Sequence, residues 1–235
     1  MAKVIEFANI SFSYRQSAKL IDNFNLNIHE GEVIALLGPS GCGKTTLINL
    51  VAGHLKAEQG TLKNPLTSLT IFQKDGLLPW LTVKENIDFG HRYSLGNSQE
   101  STEKIIQLFK LEQYLGLFPF ELSGGLRQKT EIARGLAAGA SLLLMDEPFS
   151  SLDAMTRIET RVETFEILKS RKTTVIIVTH DLFEAAQVAD RVVVLGAAPF
   201  RVQKDLKLPG NFPRQLTSNE FKESLSLIAQ EMETP

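Results

Sequence analysis

Between Gly38 and Thr45 the chain reads Gly-Pro-Ser-Gly-Cys-Gly-Lys-Thr. This is the spacing G-x-x-x-x-G-K-[ST] of a phosphate-binding loop. Such a loop works only between a strand and a helix, so it constrains the fold around it. An apolar β-type run, Val33 to Leu37, precedes it, and a helical run, Leu47 to Ala52, follows it, with Gly53 placed as a C-cap. Gly38, Gly41 and Gly43 admit backbone angles that side chains forbid. Successive N–H groups can then point inward as an anion nest at the positive end of a helix. Lys44 would set its ammonium against β- and γ-phosphates, and Thr45 would offer a hydroxyl to Mg²⁺. A plain glycine turn joining strand to helix does not account for the motif and both flanks together. The loop by itself implies a nucleoside triphosphate and nothing narrower.

Composition removes other classes. A chain of 235 residues with 43% hydrophobic content suits one large domain, or a domain with a smaller subdomain. The net charge of -2 supplies no basic field for nucleic acid. Cys42 is the single cysteine, so no internal disulfide or cysteine-cluster metal site is expected. Apolar runs such as Leu142–Met145 and Val192–Leu195 are too short to span a bilayer, and the N-terminus lacks the apolar core of a signal peptide. A soluble, intracellular protein is expected.

Along the chain, residues 3–37 read as β-rich, with Leu26 to His29 alternating before a Glu30-Gly31 turn. Tyr14 ends the second alternating run; its spacing suits a half-buried strand tyrosine better than a ring stacked on a base. Ala57 to Thr61 reads as a polar connection, and Ser68 to Phe72 as a strand ending at Gln73. The stretch Leu77-Leu78-Pro79-Trp80-Leu81-Thr82-Val83 has loop punctuation but is apolar, which fits either a partner site or a loop folded onto its own core. Residues 83–118 look helical: Val83, Ile87 and Gly90 share one face, Ile105, Leu108, Phe109 and Glu112 another, and Ser98 or Ser101 is available as a cap.

Leu122-Ser123-Gly124-Gly125 then starts a helix, with Ser123 as N-cap; the paired glycines fit either a second anion nest or an ordinary helix start, which is common. Leu142 to Met145 reads as a buried parallel strand ending in Asp146-Glu147-Pro148. Acids at the carboxyl end of such a strand sit where α/β folds bind ligands. Asp146 suits a Mg²⁺ partner acting through water, and Glu147 a base that orients a water. Ser150 to Asp153 opens a charged helix to about Arg171; Thr174 to Thr179 is another buried strand, ending at His180, a position open to γ-phosphate contact, although a single histidine is more often structural. A helix and a strand follow, at 182–189 and 191–195. In the tail, Thr217 and Glu220 fit a capping box ahead of a helix face of Phe221, Leu225, Ile228 and Met232.

Over nearly its whole length the chain resembles the ATP-binding subunits of ABC transporters. Gly38 to Thr45 matches Walker A, Phe72-Gln73 the Q-loop, Leu122 to Gln128 the ABC signature, Leu142 to Glu147 Walker B with its glutamate, Ser151 to Asp153 the D-loop, and Thr179 to Asp181 the H-switch. Tyr14 matches the adenine-stacking A-loop, which reverses the preference drawn from spacing. The resemblance implies an α/β fold: a P-loop NTPase core with a mixed sheet flanked by helices, an N-terminal antiparallel β subdomain, and an inserted helical subdomain carrying the signature. Core and β subdomain are expected over about 1–82 and 139–210, the helical subdomain over about 83–138, and a C-terminal helix over about 217–232.

It implies ATP and Mg²⁺ as cofactors. Glu147, His180 and Gln73 are then catalytic; Tyr14, Gly38, Pro39, Ser40, Gly41, Cys42, Gly43, Lys44, Thr45, Thr46, Ser123, Gly124, Gly125 and Asp153 hold nucleotide; Thr45, Gln73 and Asp146 serve the metal. It also implies a head-to-tail homodimer or paralogous heterodimer, in which Ser123, Gly124 and Gly125 serve the opposite subunit's ATP. Integral-membrane permease subunits are the direct partners, and a periplasmic or lipid-anchored solute-binding protein an indirect one. The expected location is cytoplasmic, peripheral on the inner face of the membrane.

The runs Leu77 to Asn86 and Met145 to Arg157 further resemble importers of nitrate, sulfonates, taurine and related small solutes. Departures include a short segment from Gly60 to Ser68, Lys129 where arginine is common, Gly135 where alanine is common, and Ser151 in place of a frequent alanine. The alternative is a soluble ABC ATPase of the iron–sulfur cluster assembly type, which shares the nucleotide motifs; the Leu-Leu-Pro-Trp loop argues against it.

Overall fold

The computed structural model describes residues 3–14, 18–72, 76–93 and 101–233. Gln73 and Ser98 therefore lie outside the described residues. The chain packs as two compact units, residues 1–65 with 174–235, and residues 66–173.

The first unit opens with β1 (Lys3–Phe12), β2 (Ile21–His29), β3 (Val33–Leu37), α1 (Lys44–Val51) and β4 (Gln59–Lys63). β1 lies antiparallel between β2 and β4, with Phe7 opposite Leu26 on one side and Leu62 on the other. Alternation puts Ile5 and Phe7 of β1 and Phe24, Leu26 and Ile28 of β2 into the core, and a register shift in β1 after Phe7 brings Ile10 there as well. Part of the polar stretch expected to be a connection is thus a strand. β4 has no buried face and is held by backbone pairing along the edge of β1, so hydrophobic alternation could not reveal it. Gly53 follows α1 at a φ of +79°, as its placement as a helix stop requires.

The second unit holds β5 (Ser68–Ile71), α2 (Val83–Arg92), α3 (Thr102–Leu108), α4 (Gly124–Ala137), β6 (Leu142–Asp146) and α5 (Ala154–Ser170). β5 and β6 pair in parallel, Ser68 with Leu142 and Ile71 with Met145. Thr82 and Glu85 close a capping box on α2: the Glu85 N–H donates to the Thr82 hydroxyl, and the Thr82 N–H to the Glu85 carboxylate at 2.8 Å. Ser101 caps α3, whose regular turns stop before Glu112; that residue lies in a short 3-10 turn. Val83, Ile87 and Gly90 do share a buried face of α2. Ser123 caps α4, accepting from the Leu126 N–H, and Asp153 caps α5.

The chain then completes the first unit with β7 (Thr174–Val178), α6 (Leu182–Val188), β8 (Arg191–Leu195), β9 (Val202–Lys207) and α7 (Asn219–Glu233). β3 is parallel to both β7 and β8, and β9 adds antiparallel to β8, so this sheet is mixed. Every residue of β3 and β7 is buried, as continuous apolar strands covered on both faces must be. The capping of α7 differs from expectation. Ser218, one residue past Thr217, accepts the Phe221 N–H at 3.1 Å. The buried face is Phe221, Ser224 and Ile228, while Met232 is exposed, because α7 rests on α6 through its first turns.

Gly90 sets how closely α2 approaches α4. A Cβ at this position would lie 2.3 Å from the Arg134 carbonyl oxygen. Gly90→Ala gains about 1 kcal/mol of helix propensity but must push backbone away, an overpacking cost of about 1–3 kcal/mol. The clash should win, and the variant should melt at a lower temperature than the parent; an unchanged or raised melting temperature would contradict this packing.

Candidate nucleotide site

The phosphate loop leaves β3 at Leu37. Gly38 has no room for a side chain, since a Cβ there would sit 2.9 Å from the Leu195 carbonyl and 3.1 Å from the Cys42 sulfur. Gly43, the N-cap of α1, has a φ of +116°, and a Cβ on it would lie 2.7 Å from the Phe200 ring. It therefore needs glycine for its backbone angle and for the approach of Phe200. Lys44 folds back, its ammonium donating to the carbonyls of Gly38 at 2.8 Å and Pro39 at 2.9 Å. Cys42 is buried and Thr45 exposed on the first turn. No side chain caps α1 and no acid lies in its first turn, whereas α2, α3, α4, α5 and α6 all start on a side-chain cap. The amide end of α1 is thus left to an anion.

Two other expected residues of the first unit come to this edge. Leu36 of β3 pairs with Val178 of β7, so His180 lies two residues past its strand, level with Gly38 two residues past Leu36. His180 is exposed, and the adjoining Asp181 caps α6 through the Phe183 and Glu184 N–H groups. Tyr14 stands just beyond β1 with its hydroxyl 3.0 Å from the Thr46 hydroxyl of α1. The residue is 49% exposed, and its ring rests edge-on against Phe12. It is therefore neither a core tyrosine nor free: its hydroxyl is fixed to the phosphate-loop helix while about half of the residue stays exposed. Spacing along the chain had no means of showing the Thr46 partner, 32 residues away.

In the second unit, Ser123 is the exposed N-cap of α4, while Gly124 and the buried Gly125 lie against the start of α5. A Cβ on Gly124 would be 2.5 Å from Leu152, and one on Gly125 2.7 Å from the Thr160 hydroxyl oxygen. The signature and Asp153 are thereby brought together. The Asp153 carboxylate accepts the Thr156 N–H at 3.1 Å, and hydrogen bonds from Thr156 hold it below the usual carboxylate range. Asp146 ends β6, and Glu147 follows with a φ of +48°. A non-glycine residue in this region carries strain of order 1–3 kcal/mol, typical of side chains aimed for function. The Ser150 hydroxyl and N–H both donate to the Glu147 carbonyl and hold this turn. Among the described residues no cluster of three or more His, Cys, Asp or Glu side chains could cage a metal. The Thr45 side chain on the exposed first turn of α1, and separately the Asp146 carboxylate at the end of β6, are oxygen donors of the kind Mg²⁺ takes, an ion that keeps most of its water and phosphate ligands. Gln73, expected to serve catalysis and metal, lies outside the described residues.

A family model described as ABC transporter matches residues 21–150. This chain belongs to the ABC transporter ATP-binding family. An uncharacterised ABC transporter ATP-binding protein of Methanocaldococcus jannaschii is 38% identical over 234 residues, covering 95% of this chain and 85% of its own. An aliphatic sulfonates import ATP-binding protein of Bacillus anthracis is 33% identical over 225 residues, with 92% and 90% covered. Among solved structures, a dimeric ATP-binding cassette in a post-hydrolysis state with ADP and Pi superposes with a TM-score of 0.72 at 27% identity, over 88% of this chain and all of that one. The cbiO1 subunit of Clostridium perfringens shares the fold, with a TM-score of 0.79 at 23% identity, over 100% of this chain and 97% of that one. This ABC subunit is an ATPase whose α/β fold is that of the ABC cassettes.

The signature helix of this ATPase is tied to α5 by charge. Glu163 of α5 takes the ammonium of Lys129 on α4 and, at 3.1 Å, that of Lys110. Lysine at position 129, in place of the commoner arginine, therefore still pairs. Partial burial pushes the Glu163 carboxyl up, but hydrogen bonds from Lys129 and Lys110 outweigh it and the net shift is downward. A depressed folded pKa gives stability that is present above the unfolded value, about 4.3, and is lost as pH falls through the folded one. Glu163→Gln should melt below the parent at neutral pH, and the two melting curves should converge below about pH 4. A difference that is constant with pH would rule out the ion pair as its source.

Proposed function

We propose that this ATPase drives an importer of a small anionic solute of the sulfonate, nitrate or taurine kind, through permease subunits in the membrane. One observation carries this reading. Trp80, in the apolar loop ahead of α2, is 69% exposed. A loop folded onto its own core would have buried it. Leu77 is buried and anchors the loop, while Pro79 and Trp80 face outward. A large exposed aromatic on an ordered loop is a typical interface anchor. The name of the Bacillus relative, an aliphatic sulfonates import protein, supports the solute class. No helix among the described residues is long and apolar enough to cross a membrane. In this reading membrane partners supply the path and this chain sits at the cytoplasmic face. Nothing in the fold or in these relatives favours the iron–sulfur assembly role.

In the proposed cycle the α1 amides and Lys44 hold the phosphates, Tyr14 supports the base, and Ser123, Gly124 and Gly125 meet the nucleotide of a second cassette. The dimeric cassette structure supports that arrangement. Mg²⁺, when bound, neutralises charge developing on the phosphates. Thr45 and Asp146 are its proposed ligands, with Gln73. Glu147 orients the attacking water and accepts its proton, Asp153 serves the subunit interface, and His180 contacts the γ-phosphate at the edge it shares with Gly38.

Glu147→Gln should retain ATP binding and lose turnover by about 10²–10⁴-fold, accumulating as an ATP-bound dimer in size-exclusion chromatography. Turnover near the parent value would remove Glu147 from the mechanism.

Trp80→Ala tests the transport reading. It should weaken association with the copurifying membrane subunits by about 2 kcal/mol or more if Trp80 is a hot spot. The melting temperature and ATP-analogue binding of the isolated subunit should stay at parent values, because an exposed ring contributes little to folding. Undiminished recovery of membrane subunits would reject the reading.

A further inference from the structure

The loop from Gly76 to Thr82 is held from inside by one side chain. Asn86 of α2 has no exposed surface. Its carbonyl oxygen accepts the Leu78 N–H at 2.9 Å. Its amide donates to the carbonyls of Leu78 at 3.2 Å, Leu81 at 3.0 Å and Thr82 at 3.0 Å. Two amide hydrogens thus serve three inward-facing acceptors of the loop. Buried polar groups of this kind persist only when satisfied, so the shape of the loop depends on Asn86.

Behind Asn86 stands α4. Arg134 approaches the same Asn86 oxygen at 3.5 Å. Glu131, only 2% exposed, accepts the Gly76 N–H at 3.3 Å. A Cβ on Gly76 would lie 2.3 Å from the Glu131 carboxylate, so this contact needs glycine at 76. Burial pushes the Arg134 guanidinium below its usual pKa and Glu131 opposes the shift, which marks the two as electrostatic partners.

These contacts join two features that are far apart in sequence. α4 spans 14 residues from Gly124 to Ala137, about 20 Å of helix. Its first turn carries the signature glycines; Glu131 and Arg134 project from its later turns. We propose that Asn86 is a positioning residue which, with Glu131 and Arg134 behind it, locks the Trp80 loop to the signature helix so that the two move as one body. A displacement of the signature end on meeting ATP is then delivered to the loop that faces the partner. The proposal rests on the reading of the Trp80 loop as the permease contact. It adds the element that transmits motion to that contact.

Trp80 is the single tryptophan, so its emission reports the loop directly. Asn86→Ala in the full chain should lower the fluorescence anisotropy of Trp80. It should also speed hydrogen exchange at the Gly76 and Leu78 amides by at least about tenfold. A fluorescent ATP analogue should bind within about twofold of the parent, and recovery of the copurifying membrane subunits should fall. Parent-like anisotropy and exchange would overturn the clamp. So would a loosened loop with undiminished recovery of membrane subunits, since a merely structural role predicts that result. Should Asn86→Ala fail to fold, Gly76→Ala, which displaces only the Glu131 contact, is judged by the same measurements. Trp80→Ala separates the two ideas. If it lowers recovery while loosening the loop does not, the clamp fails and the permease reading stands; if it leaves recovery unchanged, the permease reading itself fails.

Discussion

The hydrogen bonds from the Lys44 ammonium to the Gly38 and Pro39 carbonyls close the phosphate loop on itself, and the surrounding first unit is arranged to make that closure possible. The loop can turn so tightly because Gly43 adopts a left-handed backbone and because Phe200 and Leu20 pack where its side chain would be. Phe200 is held there in turn by the Leu20 carbonyl, which accepts its N–H at 3.0 Å, and by an edge-on contact with Phe24. The antiparallel sheet and the connection between β8 and β9 therefore both brace the loop. β3 must be parallel and central for its carboxyl end to open onto α1, and its five buried residues reflect that position.

The second unit solves a different problem. Its helices must pack closely on α4 while leaving Ser123 and Trp80 exposed. Close approach does this work: Gly90 against the Arg134 backbone, Gly125 against Thr160, and Gly135 against Leu69 bring α2, α5 and β5 up to α4. A few polar groups, Asn86 and Glu131 above all, then fix loops that apolar packing alone would leave free to collapse inward. Charge plays a lesser part. The Lys129–Glu163 pair adds a tie between α4 and α5 that is partly screened by solvent.

The sequence by itself determined the nucleotide chemistry and most elements that carry it. The glycine–lysine–threonine loop, the serine–glycine–glycine helix start and the acids after a four-residue apolar run could be read because each depends on local backbone demands: left-handed angles, N-caps and strand burial. The α/β class followed from strands and helices whose periodicities are unmistakable. β4 could not be read, because an edge strand with no buried face leaves no alternation, and the stop of α7's buried face could not, because its neighbour α6 is short. Only tertiary structure could decide the rest. Tyr14 is tied to Thr46, Asn86 serves three carbonyls, and Trp80 points outward although it lies in an apolar run. Each outcome depends on what another segment places beside the residue, and a side chain's own identity cannot specify its neighbour across the fold.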